Sequence, residues 1–217
     1  MWARNNPSKL WTPGQTLRIA FLNGTPEFKQ AVRSAASNWL SHINLKFDFV
    51  EGVEGDIRIF SENGTFWSQT GTDALLDTDE PTMRLWPHSS NHARYFAANV
   101  MHEFGHMLGA EHEQTNPTAN IPWNRTALYE SHGITDNPEE DDYQAEVTRN
   151  KLNHLYLDRA DPSESLYSTY DRKSIMHYVI QQTWTEGDFQ IFPNLELSDH
   201  DKAFMAMAYP YPPQASE

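Results

Sequence analysis

The residues of this 217-residue chain whose types and spacing most clearly suggest chemistry are 102–112, which read His-Glu-Phe-Gly-His-Met-Leu-Gly-Ala-Glu-His. His102 and His106 are four positions apart, so on a helix both imidazoles leave the same face, one turn apart. Gly109 permits the positive φ that ends a helix, and the returning chain can then present His112. Three imidazoles that converge in this way suit a Zn²⁺ ion, which is therefore the predicted cofactor.

Glu103 lies between the two helical histidines but is not suited to be a ligand. Its carboxylate projects beside the metal, where it can take a proton from a metal-bound water. Because three protein ligands leave one zinc position open for water, the pattern predicts a catalytic site. A bare H-E-x-x-H also occurs by chance on ordinary helices, but each further fixed residue, here Gly109 and His112, makes a chance match roughly twentyfold rarer.

A second pattern lies far downstream, where residues 174–178 read Ser-Ile-Met-His-Tyr. The extended histidine motif with a later Met-turn is the metzincin signature, and this form resembles the astacin family of zinc endopeptidases. The resemblance implies that Met176 lies in a tight turn beneath the zinc, that Tyr178 is a retractable fifth ligand, and that His177 is not a ligand. Taken alone, Met176 could be an ordinary core methionine and Tyr178 a buried strand tyrosine.

The resemblance to astacins extends over most of the chain. His112-Glu113-Gln114, with residues 121–123 after it, is most similar to the cysteine-free microbial branch of the family. Animal astacins carry paired cysteines that this chain lacks, so no disulfide is predicted. Residues 115–117 lack the basic residue of the animal pattern, so no substrate preference is carried over. The other stretches that resemble an astacin domain are 10–14, 56–59, 64–71 and 197–210.

Other titratable residues near the motif leave alternatives open. Glu113 directly follows the third predicted ligand, and in astacins this position helps to anchor the N-terminus of the mature enzyme. The alternative is an exposed glutamate after a tight turn. The remaining histidines outside the two motifs have no spacing that joins them to the metal, and we expect them at the surface or in caps; they are His42, His88, His92, His132, His154 and His200.

The composition excludes several classes of function. With 16 basic and 30 acidic residues the net charge is −14, and such a surface repels phosphate backbones and anionic lipid. Nucleic acid and membrane are therefore not expected partners, whereas a protein or peptide substrate is. The absence of cysteine excludes thiolate zinc sites and cysteine nucleophiles. No signal peptide or spanning helix is recognisable, so we expect a mature form of a secreted protein, or else an intracellular one.

The pattern of apolar residues predicts an α+β fold. Periodicity predicts strands at 17–22, 45–50, 56–60 and 82–86, and helices at 26–43, 91–108, within 139–157 and from 198 to Pro210. Ser198 and Asp201 resemble a capping box at the start of the last helix. We expect strands 56–60 and 82–86 to form the upper rim of the cleft, where a peptide would bind as an added strand.

Together with the resemblance, these elements predict one metzincin-like catalytic domain over residues 1–217, which we expect to be a monomer. The upper lobe, about 1–109, would hold a mixed twisted sheet and two long helices. The lower lobe, about 110–217, would be smaller and mostly irregular or helical, with the active-site cleft between the lobes.

The function predicted from the sequence is hydrolysis of peptide bonds by a zinc-dependent endopeptidase. Glu103 would act as the general base, and Tyr178 would donate a hydrogen bond to the carbonyl oxygen as negative charge builds on it. Two alternatives remain: a zinc hydrolase of a non-protein amide or ester, and a catalytically retired binding module. The presence of Glu103 argues against the second, because a retired site needs no general base.

Overall fold

A five-stranded sheet forms one layer of the protein, whose computed structural model describes residues 1–5, 8–76, 79–87, 92–136 and 143–213. Its strands are β2 (Thr16–Phe21), β3 (Lys46–Glu51), β4 (Ile57–Ser61), β5 (Phe66–Ser68) and β6 (Met83–Leu85). The strand order is β3-β2-β4-β6-β5, and all neighbours are parallel except β5 and β6, which are antiparallel. The sheet is therefore mixed, as predicted.

Two helices pack on this sheet and against each other. Helix α1 (Pro26–Ala36) begins at Thr25, whose hydroxyl accepts the amide N–H of Phe28. It ends earlier than the predicted 26–43 and continues as a 3₁₀ turn over 37–39, where the side chains of Ser37 and Asn38 bond back to carbonyls of the last turn. Helix α2 (Ala93–Met107) confirms the predicted second helix and carries the histidine motif.

The edge of the sheet that faces the cleft is β5, and the prediction that strands 56–60 and 82–86 form this rim is wrong. Strand β4 lies between β2 and β6, and β6 lies between β4 and β5, so both are interior strands whose hydrogen-bonding groups are used on both sides. Strand β5 lies at one end of the sheet, contacts α2 and lines the cleft together with His102 and Glu103.

The second half of the chain contributes short elements around the motif. Strand β1 (Trp2–Arg4) pairs antiparallel with β7 (Ser165–Tyr167). The helices are α3 (Arg125–Glu130), α4 (Tyr143–Leu152) and α5 (Asp199–Ala208), and α4 runs into one π-helical turn, Asn153–Leu157, called here the π-turn. The predicted helix within 139–157 is thus present, and residues 139–142 of that range lie outside the described residues.

Helix α5 returns to the first half of the chain. Its capping box at Ser198 and Asp201 is present as predicted, with both reciprocal hydrogen bonds. Phe204, Met205 and Tyr209 lie in the same apolar core as the sheet, α1 and α2. Within the described residues, no helix is both long and apolar enough to span a bilayer.

Candidate active site

The end of α2 is shaped by Gly109, as the sequence predicts. Gly109 has φ +90°, its N–H donates to the carbonyl of His106 (2.7 Å), and Ala110 N–H donates to the carbonyl of Gly105 (2.9 Å). These two bonds form a Schellman motif, which stops the helix and reverses the chain. A Cβ at Gly109 would lie 2.8 Å from Leu10 Cδ2, so the leucine side chain would have to shift to accommodate it.

The reversal brings together the three predicted zinc ligands. One ligand atom from each of His102, His106 and His112 lies within 4.8 Å of the others, and Nε2 of His106 is 3.0 Å from Nε2 of His112. Zn–N distances of about 2.0–2.1 Å would place the nitrogens of one tetrahedral ion roughly 3.4 Å apart. Two imidazole nitrogens at this separation need a proton or a cation between them, so the geometry fits a bound zinc ion.

Backbone carbonyls orient two of the histidines. Nδ1 of His102 lies 2.8 Å from the carbonyl oxygen of Ile175, and Nδ1 of His106 lies 2.8 Å from that of Ala110. Each carbonyl accepts a hydrogen bond from Nδ1–H, which leaves the Nε2 lone pair free for a metal. The carbonyl of His112 is itself fixed by the Trp2 indole N–H, 2.9 Å away.

Burial controls the protonation of the site. It lowers the pKa of His102, lowers that of His106 to about 3, and lowers that of His112 well below its usual range, so all three are neutral and able to bind a metal near neutral pH. Burial raises the pKa of Glu103 to about 8. A cation held by the histidines would favour the ionised carboxylate, which is the form that can accept a proton.

Met176 lies directly beneath α2, in the tight turn that the resemblance implied. A Cβ added to Gly105, between the two helical ligands, would overlap the Met176 sulfur, so the turn approaches the helix where it lacks a side chain. The turn is held from below by the buried Asp201. Its carboxylate accepts the hydroxyl of Ser174 (2.6 Å) and the N–H of Ile175 (2.8 Å), as well as closing the α5 capping box.

Tyr178 lies beside the histidines. Its ring centroid is 4.1 Å from that of His112, and burial raises the pKa of its hydroxyl, which keeps the group protonated. His177 points elsewhere: its Nε2 is 2.7 Å from the Tyr170 hydroxyl, and it does not belong to the three-histidine group. Tyr178 thus lies beside the three candidate zinc ligands, whereas the His177 imidazole is paired with the Tyr170 hydroxyl.

Glu113 is fully buried, so its interpretation as an exposed glutamate is wrong. Its carboxylate lies 3.0 Å from the amino group of Met1 and accepts the N–H of Asp171 (2.8 Å) and the side-chain amide of Asn116. Burial raises the pKa of the Glu113 carboxyl, and the nearby ammonium counteracts this.

Several residues that line the cleft were not identified from the sequence. His154 is exposed, as expected, but it lies in the cleft wall, and its charge helps to lower the pKa of His112. Leu155 lies beside it, opposite Phe66 and Trp67 of β5. Gln114 is buried and bonds to both the π-turn and Tyr178. The sequence did not indicate that these residues lie near the site, because the π-turn is distant in sequence from both motifs. His88 lies outside the described residues.

Solved structures match this fold along nearly the whole chain, whereas no family model and no curated protein matches it. One structure of myroilysin has a TM-score of 0.86 and 29% identity, covering 98% of this chain and all of that one. A crystal structure of myroilysin has a TM-score of 0.70 and 32% identity, covering 95% of this chain and 88% of that one. High choriolytic enzyme 1, a hatching enzyme zinc-protease from Oryzias latipes, shares the fold with a TM-score of 0.56, 16% identity and 88% coverage of each chain.

Proposed function

Because the chain belongs to the astacin-like metzincins, the zinc endopeptidase family of myroilysin, we propose specific roles for its own residues in peptide-bond hydrolysis. The observation that carries the proposal is the convergence of His102, His106 and His112, with Glu103 buried beside them on the same helix. Zinc bound by the three histidines would supply a Lewis acid that polarises the substrate carbonyl and makes a water molecule more acidic.

Glu103 is the general base in this proposal. It accepts a proton as water attacks the substrate carbonyl, and it then passes that proton to the leaving amine. The buried setting supports both halves of the cycle. Burial raises the pKa of the Glu103 carboxyl to about 8 and so favours the protonated form, which can give a proton to the amine, whereas a cation held by the histidines would favour the ionised form, which can accept one.

Tyr178 stabilises the charge that develops on the carbonyl oxygen. Its hydroxyl stays protonated because burial raises its pKa, so it can donate a hydrogen bond to an oxyanion beside His112. The substrate would lie along β5, using main-chain hydrogen bonds on the edge that faces the cleft. Trp67, 41% exposed on this strand, would cover one substrate side chain.

The test compares digestion of a denatured protein by wild type, Glu103→Ala and Tyr178→Phe, with the zinc content of each measured. We expect one zinc in all three, a loss of kcat by several orders of magnitude in Glu103→Ala, and a smaller loss in Tyr178→Phe, because general-base attack remains. Equal loss of zinc from both variants would contradict this division of roles. Cleavage of small esters alone, with intact protein left uncut by the wild type, would favour a non-peptidase hydrolase.

We also propose that the chain acts as a single catalytic domain, as a monomer, and outside the cell in a mature form. The first point is supported by the apolar core, to which both halves of the chain contribute. The third is supported only by likeness to the family. Sedimentation of the purified protein at several concentrations tests the monomer, since a concentration-dependent mass would contradict it.

A further inference from the structure

The π-turn forms a wall of the cleft at a point where α4 departs from regular helix. The N–H of Asp158 donates to the carbonyl of Asn153 (2.8 Å), which is the five-residue spacing of a π-helix. A π-turn re-aims the side chains that follow it, and such turns occur often at functional sites. Here the residues re-aimed are His154, Leu155 and Tyr156, which face the catalytic histidines or their neighbours.

A buried amide ties the π-turn to Tyr178. Gln114 is 1% exposed, and its Nε2 donates to the carbonyl of Leu155 (2.9 Å). Its Oε1 accepts the backbone N–H of Tyr178 (3.2 Å). Because both ends of one short side chain are used, the π-turn and the backbone of Tyr178 are held at a fixed separation.

A contact between side chains also joins the π-turn to Tyr178, through Tyr156. Its ring packs edge-to-face on the ring of Tyr178, with centroids 6.0 Å apart at 61°. Trp123 and Trp184 pack on Tyr156 in the same manner, each at 5.8 Å. Tyr178 is therefore confined between His112 on one side and a supported aromatic ring on the other.

We propose that Tyr156 is a positioning residue that holds the Tyr178 ring against His112, so that the Tyr178 hydroxyl meets the developing oxyanion. This rests on the role proposed above for Tyr178. The ring and not the hydroxyl of Tyr156 carries the effect, because its hydroxyl forms no hydrogen bond within the described part of the chain. Loss of the Tyr156 ring should therefore lower kcat and leave KM unchanged, since Tyr156 contacts Tyr178 and not the substrate-binding strand.

The experiment is a double-mutant cycle of Tyr156→Leu and Tyr178→Phe in the zinc-loaded enzyme, with kcat and KM measured on one peptide. Tyr156→Phe keeps the ring, and Tyr143→Leu is a matched control on an exposed tyrosine of α4. An aromatic pair of this kind is worth enough to lower kcat about two- to tenfold when it is removed. We expect that loss in Tyr156→Leu, with KM and zinc content unchanged, and wild-type kcat in Tyr156→Phe and Tyr143→Leu.

The decisive comparison is Tyr156→Leu in the Tyr178→Phe background, where we expect no further loss of kcat. The same fold-loss in both backgrounds would overturn the positioning role and leave the role of Tyr178 intact. Full kcat in Tyr178→Phe alone would overturn the role proposed for Tyr178, and the positioning role with it. A loss in Tyr156→Phe as large as in Tyr156→Leu would show that the hydroxyl acts, which also contradicts the proposal.

Discussion

Gly105→Ala sets two physical effects of opposite sign against each other. In a helix interior, alanine is favoured over glycine by about 0.5–1 kcal/mol, so the substitution alone would stabilise α2. In this structure the new methyl group would overlap Met176 Sδ and lie 3.5 Å from Cζ2 of Trp39, both fully buried. Overpacking of a closed core costs about 1–3 kcal/mol. The net expectation is a loss of about 0–2.5 kcal/mol, together with displacement of the turn that carries Ile175 and Tyr178.

The overpacking cost can be isolated by placing Gly105→Ala in a Met176→Ala background. There the sulfur is gone, and only the helix preference remains, so the substitution should stabilise by about 0.5–1 kcal/mol. The difference between the two backgrounds is a coupling energy of about 1–3 kcal/mol, measured by urea unfolding of the four zinc-loaded proteins. Zinc content and peptidase activity should fall in Gly105→Ala alone. If that variant were more stable than wild type and fully active, the close approach of Met176 to α2 would not be a constraint.

Three further predictions concern buried charge around the site. Glu113→Gln should cost about 3–5 kcal/mol in urea unfolding, because the Met1 ammonium would remain buried without a counter-charge; the exposed Glu54→Gln is its control, and equal effects would contradict the ion pair's importance. Asp201→Ala should lower the free energy of unfolding by about 3–5 kcal/mol, because it leaves buried hydrogen-bond donors unsatisfied, and it should also weaken zinc binding. Asp199→Ala on the same helix is the control and should do neither. A stable Asp201→Ala variant with normal zinc affinity would refute this. The motif histidines should make the free energy of unfolding of the metal-free protein depend on pH. Their contribution is full above pH 6.5 and is lost as the pH falls from 6.5 towards about 3, because the unfolded histidines bind protons that the buried ones do not. A flat profile of unfolding free energy in this range would contradict their burial.

The parts of the site that could be predicted were those set by local geometry. The spacing of His102 and His106 and the glycine after them fix the helix face and the turn, whatever the rest of the chain does. The Ser198 capping box is equally local, because its two partners are three residues apart. Strands β2, β3, β4 and β6 were recognisable because each carries enough apolar residues to show a pattern.

The parts that could not be predicted depend on pairing between distant segments. Strand β5 begins with two adjacent aromatic residues, Phe66 and Trp67, and so shows no alternation, whereas Met83–Leu85 of β6 does; the position of β5 at the sheet edge depends on pairing with β6. The burial of Glu113 requires the N-terminal strand to return beside it, and the polar sequence around it gives no sign of this. Tyr156 contacts Tyr178 only because a π-turn changes its direction, which no helical periodicity predicts.

The attachment of Asp201 to the Met-turn has a consequence for the order of folding. The carbonyl that orients His102 belongs to Ile175, 73 residues away, and the turn containing Ile175 is fastened by a carboxylate that lies further on, in α5. Contacts between such distant segments form slowly, because a long loop must close before they are gained. We therefore expect the histidine helix to form early and the working cleft to form last. A chain that has emerged from the ribosome only as far as its zinc motif would be unable to cut its neighbours.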